Sequence, residues 1–131
     1  MSSKGEIRRQ ISRKEEQKYS KNVELDDLNH DLERLKDALK EVESAQSDFN
    51  SAQSNYNKTK ITESDWKGET RNKSDEYKDS MDEELQKVEQ DFEDGISDLK
   101  DDISKKEQEI KGVEGDIKDL KNEIDALKDK L

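Results

Sequence analysis

The chain has 131 residues, of which 47% are charged and 26% hydrophobic, and its net charge is −11. So small an apolar fraction excludes a compact sandwich, barrel or α/β enzyme domain, whose core needs nearly twice as much. The anionic surface repels phosphate backbones and acidic lipids, so we expect no nucleic-acid binding. No apolar run is long enough for membrane insertion, and residues 1–21 lack the apolar stretch of a secretory signal peptide.

Helix one is predicted over residues 4–57. Ser3 and Glu6 have the spacing of a capping box at its start. From Leu25 onward, apolar residues recur every three or four positions, which is the a/d pattern of a coiled coil. We call this line of a and d residues the seam. It contains Leu25, Leu28, Leu32, Leu35, Leu39, Val42, Gln46, Phe49, Gln53 and Tyr56, and extends backward through Lys21, Lys18, Lys14, Ile11 and Ile7.

Helix two is predicted over residues 66–131 with a similar seam. Its members are Met81, Leu85, Val88, Phe92, Ile96, Leu99, Ile103, Lys106, Ile110, Val113, Ile117, Leu120, Ile124, Leu127 and Leu131. The steps from Val88 to Phe92 and from Phe92 to Ile96 are both four residues, which predicts a local stutter near Gly95.

Residues 58–65 are rich in turn formers and predict a short turn between the helices. The expected fold is therefore all-α, a long antiparallel two-helix coiled-coil hairpin forming one domain over residues 1–131. A continuous helix in a parallel dimer is the alternative. A hairpin centred near residue 62 would put the basic residues 1–21 beside the acidic residues 101–116.

That register leaves the hairpin unfinished at one end. Residue 3 would lie opposite residue 121, so Ile124, Leu127 and Leu131 would overhang with no intramolecular cover. Lys14, Lys18, Lys21 and Lys106 would share one segment of the seam, where four ammonium groups cannot be buried without acidic neighbours. We therefore expect this end to fray in the isolated chain, and a helical partner, self or heterologous, to order it.

Catalytic and metal-binding patterns are missing from the sequence. It has no Cys, no Gly-rich phosphate loop and no pairing of a nucleophile with a base. The only histidine, His30, lies among Asp and Asn and is expected at the surface. The sequence thus predicts a protein that is not an enzyme and needs no cofactor or metal.

Trp66 is the only tryptophan and lies at the predicted junction, in Trp66-Lys67-Gly68. One interpretation is structural: the indole closes the core of the hairpin near Phe49 and Tyr56. The other interpretation is functional. Because these aromatic residues and Tyr77 lie near the turn, we expect the turn and the C-terminal tail to be the contact surfaces. Two long helices with Trp-x-Gly at the turn resemble the WXG family of type VII (ESX-like) secretion, and in particular the YwqH-like helical partners of LXG-domain toxins in Gram-positive bacteria.

The resemblance implies an adaptor or targeting chaperone. It would pair with the helical N-terminal domain of an LXG-type toxin or with another WXG-like hairpin, either remaining cytoplasmic or being exported with its partner. Trp66 and Gly68, with Tyr77 nearby, would supply part of a composite export signal. The family's second element, Tyr or Phe followed four residues later by Asp or Glu, does not follow helix two, so the partner would supply it. The expected partner-binding seam is Leu25, Leu28, Leu32, Leu35, Leu39, Phe49, Ile117, Leu120, Ile124, Leu127 and Leu131.

Two other functions fit the sequence. A structural coiled-coil scaffold would self-associate through residues 25–42 and 110–131, and Trp66 would then be dispensable. An accessory protein would instead use its anionic helices to sequester a basic partner, and its binding would be sensitive to salt.

Overall fold

A computed structural model describes residues 3–58 and 69–131, with side chains for residues 3–56, 73 and 75–131. It contains two helices, α1 (Lys4–Lys58) and α2 (Glu69–Asp129), and no strand within the described ranges. The prediction of an all-α helical hairpin is confirmed. The predicted turn at 58–65 lies outside the described residues, apart from Lys58 at the end of α1.

The start of α1 is held by a side-chain cap. The Glu6 backbone N–H donates to Ser3 Oγ at 3.1 Å, and the Ile7 N–H donates to the Ser3 carbonyl oxygen at 3.0 Å. The serine hydroxyl therefore satisfies one of the N–H groups that the first helical turn leaves without a partner. This is the hydroxyl half of the predicted capping box.

The chain divides into two compact units, each built from both helices. One, which we call the end unit, comprises Met1–Lys36 and Asp101–Leu131, and the other, the middle unit, is Asp37–Lys100. Among the described side chains, the most buried apolar residues all belong to the end unit: Ile7, Ile11, Ile103, Ile110, Val113, Ile124 and Leu127. Four of them, Ile7, Ile11, Ile124 and Leu127, form one core cluster.

This cluster shows that the predicted overhang is wrong. Ile124 and Leu127 are buried against the start of α1 and do not extend beyond it. In the predicted register Lys14 would have faced Ile110, whereas its Nζ lies 2.6 Å from the Glu123 carboxylate. The physical reason is burial: the observed register covers the last apolar residues of α2 with the first ones of α1, and removes their surface from water.

Three seam lysines of the end unit, Lys14, Lys21 and Lys106, lie beside carboxylates of the facing helix. Lys21 lies 3.4 Å from Asp116, which with Glu24 raises the pKa of the lysine. Lys106 lies 3.8 Å from Asp31. The lysines are only half-buried, so their stems pack on the seam while the ammonium groups reach the edge. The structure shows no frayed end among the described residues, since α1 is helical from Lys4 onward, and fraying of the isolated chain in solution stays a prediction.

In the middle unit the seam is less buried and more polar. The Phe49 and Phe92 rings pack across it with centroids 5.6 Å apart. Polar residues occupy four half-buried positions nearby: Gln46, Gln53, Asp82 and Glu89. None of this unit's described side chains is as buried as the core of the end unit, so the middle unit gains less from hydrophobic burial.

The predicted stutter near Gly95 is wrong. Val88 and Met81, which the apolar pattern placed on the seam, are exposed, and their neighbours Glu89 and Asp82 are half-buried instead. The half-buried positions 82, 85, 89, 92, 96 and 99 keep an unbroken three–four spacing. A regular heptad keeps one line of the helix against its neighbour, and this outweighs the greater hydrophobicity of Val88.

Tyr56 is the last seam residue of α1, and its hydroxyl group lies in an unfavourable environment. Its hydroxyl is buried and has no hydrogen-bond partner among the described residues. Burial and the nearby negative charge of Asp82 both raise the pKa of Tyr56. The neutral phenol is thus favoured in the folded state.

We expect this to make the protein less stable in alkali. Above the pKa that Tyr56 has when unfolded, about 10, the unfolded chain loses the phenolic proton first, so stability falls as pH rises further. Absorbance titration of a Tyr19→Phe/Tyr77→Phe variant isolates Tyr56, and urea unfolding at several pH values measures the loss. A Tyr56→Phe variant should lose the Tyr56 part of this pH dependence. An unchanged alkaline slope in Tyr56→Phe would contradict the assignment.

Candidate helix-binding surface

Large apolar side chains are exposed at few places in the described part of the chain. On α2 they are Tyr77, Met81 and Val88, which are 74%, 50% and 38% exposed. On α1 they are Tyr19 and Val23, at 72% and 44%. Leu131, the last residue, is 44% exposed. The α2 group is the larger of the two helical groups.

The three α2 residues lie on one face of the helix. Met81 follows Tyr77 by four residues and Val88 follows Met81 by seven, and both spacings return to the same side of an α-helix. We call this face the α2 stripe. It lies beside the seam, because Asp82 and Glu89, the next residues in sequence, are the half-buried seam members.

The stripe lies in the most acidic part of the molecule. Residues 75–94 contain ten carboxylates and two lysines, a net charge of −8. The middle unit as a whole has eighteen carboxylates and nine cations, so it holds −9 of the chain's total of −11. The end unit is therefore close to neutral, and the negative field is concentrated around the stripe.

Both lysines of residues 75–94 are held within α2. Lys78 Nζ lies 3.4 Å from Asp82, and Lys87 Nζ lies 3.3 Å from Glu84. Each partner is three or four residues away, the normal spacing for ion pairs on one helix face. Most of the carboxylates have no cation of this segment to neutralise them.

The structure places few of the predicted export-signal residues. Trp66 and Gly68 lie outside the described residues. Tyr77 is exposed on α2, in the stripe that lies beside the seam. The other two members of the stripe, Met81 and Val88, were missed as surface residues because their hydrophobicity favoured the seam. An unbroken heptad counted backward from Ile103 would have found them.

The predicted partner-binding seam lies mostly inside the hairpin. Half-buried members are Leu25, Leu28, Leu32, Leu35, Leu39, Phe49, Ile117 and Leu120, and Ile124 and Leu127 are buried. Only Leu131 exposes a large part of its side chain. That these residues also bind a partner stays a prediction, but all except Leu131 already contribute to packing within the chain.

Other kinds of site have little support in the described residues. No group of three or more His, Asp or Glu there could hold a metal ion. His30 is exposed and lines a shallow surface depression with Asp27, Asp31 and Arg34. No described helix combines the length and apolar character that crossing a bilayer requires.

The described residues thus form an acidic, all-α hairpin with an exposed apolar stripe on α2. The YwqH-like family model matches residues 9–129. The chain therefore belongs to the YwqH-like family. No curated protein and no solved structure matches it.

Proposed function

We propose that the protein is a non-enzymatic adaptor, or targeting chaperone, for type VII secretion. It pairs with the helical N-terminal domain of an LXG-type toxin or with another WXG-like hairpin. Membership of the YwqH-like family carries this proposal, because the match covers nearly the whole hairpin. The protein acts in the cytoplasm, and it stays there or leaves with its partner.

The packing of the hairpin supports such a role. The end unit has the buried core that keeps the two helices together. The middle unit has a polar seam and an exposed apolar stripe. A helical partner that covered the stripe would add burial where the chain alone has least of it.

Trp66→Ala tests the export role. We expect this variant to abolish secretion of the partner toxin while helicity, measured by circular dichroism, stays nearly unchanged, because the indole belongs to the export signal that the family resemblance implies. Tyr19→Ala, which removes an exposed aromatic residue of the end unit, is the matched control and should secrete normally. Normal secretion by Trp66→Ala would argue against the proposed function.

A self-associating coiled-coil scaffold is the second candidate. The exposed pair Tyr19 and Val23 favours it, because a second apolar face offers a contact for another copy. Sedimentation over a range of concentrations separates the two candidates: the scaffold requires a dimer or tetramer of the isolated protein, and the adaptor requires a complex with the toxin domain.

A further inference from the structure

We infer that the α2 stripe binds a basic amphipathic helix of the partner protein. The inference deepens the proposed function, on which it rests for the helical nature of the partner. It names the surface that is used and the chemistry of the helix that fits it.

The apolar part of the contact comes from Tyr77, Met81 and Val88. Side chains on one helix face, spaced by four and seven residues, match the spacing by which an amphipathic helix presents its own apolar residues. An exposed tyrosine and an exposed methionine are favourable anchors: the first has a large rigid surface and the second adapts its shape.

The charge of the contact selects the partner. Both lysines of residues 75–94 are held by Asp82 and Glu84, and this segment, which carries the stripe, has a net charge of −8. A helix flanked by Lys or Arg would neutralise this charge and associate faster because of it. A helix flanked by Asp or Glu would bring like charges together.

The described surface of a second copy of this chain does not fit the stripe. Its other exposed apolar pair, Tyr19 and Val23, also has acidic residues one turn away on either side: Glu15, Glu16, Asp26 and Asp27. The chain's basic segment, residues 8–21, has its isoleucine, Ile11, buried in the end unit's core. Two of its cations, Lys14 and Lys21, are held by Glu123 and Asp116. Neither surface offers a free basic amphipathic face.

Two synthetic helices test the inference on the full chain. Each has about three heptads, with leucine at a and d; one has lysine at the flanking positions and the other glutamate. We expect the lysine helix to bind and the glutamate helix not to. The double variant Tyr77→Gln/Met81→Gln, which keeps every charge, should weaken binding by about tenfold or more, because exposed aromatic anchors dominate such contacts.

The matched control is Tyr19→Gln/Val23→Gln, which removes an equally exposed tyrosine and its aliphatic neighbour from the end unit. It should bind the lysine helix as the parent does, and circular dichroism should show both variants to be as helical as the parent. Equal binding of the two synthetic helices, or undiminished binding by Tyr77→Gln/Met81→Gln, would overturn the inference. Undiminished binding by the double variant would mean that the lysine helix is attracted by charge alone. Because no toxin domain is used, the outcome is independent of whether the adaptor proposal holds.

Discussion

Ile124→Ala is expected to lower the free energy of unfolding by about 2–4 kcal/mol, the usual cost of emptying a well-packed aliphatic site. Ile124 is only 5% exposed and belongs to the four-residue cluster that joins the beginning of α1 to the end of α2. A two-helix hairpin has few such residues, so the loss is a large fraction of a total stability of order 5–15 kcal/mol.

Leu131→Ala is the matched control for this experiment. Leu131 is 44% exposed, although it occupies the next a position of the same heptad pattern. Its truncation should cost less than about 1 kcal/mol, as is usual for surface sites. Urea unfolding followed by circular dichroism measures both values. Similar small losses for the two variants would mean that Ile124 is not covered by α1, as in the register predicted from the turn.

Glu89→Leu is expected to raise the free energy of unfolding by about 1–2 kcal/mol, since leucine buries apolar surface where glutamate has only its stem to bury. Glu89 is half-buried at a seam position of the middle unit. The substitution also removes one negative charge from a segment with a surplus of them, which reduces repulsion within α2.

Glu83→Leu separates these two contributions. Glu83 lies on the exposed side of the same helix, and its replacement removes the same charge without reaching the seam. We expect its stability to stay within about 0.5 kcal/mol of the parent. If thermal unfolding shows an equal gain for both variants, the polar seam is not what limits the middle unit, and relief of charge repulsion is.

The seam of α1 could be read from the sequence. Positions with the three–four spacing from Ile7 to Tyr56 are all buried or half-buried, including the lysines and glutamines. The pattern succeeds because a single regular helix presents one side to its neighbour along its whole length, and many residues together determine which side that is. It fails at Val88 for the same reason, because the phase of the whole helix decides which side a single hydrophobic residue faces.

The register could not be obtained from the turn. Composition indicated a centre near residue 62, but pairing is decided by which apolar residues bury each other, and this placed Ile7 and Ile11 against Ile124 and Leu127. The wrong register also misplaced the weakly packed part of the hairpin. The sequence predicted an uncovered tail at the end of α2, whereas in the structure that tail is part of the most buried core described, and the polar seam lies in the middle unit. Of the predicted export-signal residues, Tyr77 alone lies among the described side chains, where it is exposed.

The packing of the beginning of α1 against the end of α2 has a mechanical consequence. The beginning of α1 and the end of α2 both belong to the end unit, so a force that draws these two segments apart acts first on the core cluster of Ile7, Ile11, Ile124 and Leu127. The two helices would then separate one seam layer at a time, beginning with the most buried layers. Amide hydrogens of residues 37–56 and 75–100 should conversely exchange with solvent faster than those near Ile11 and Ile124.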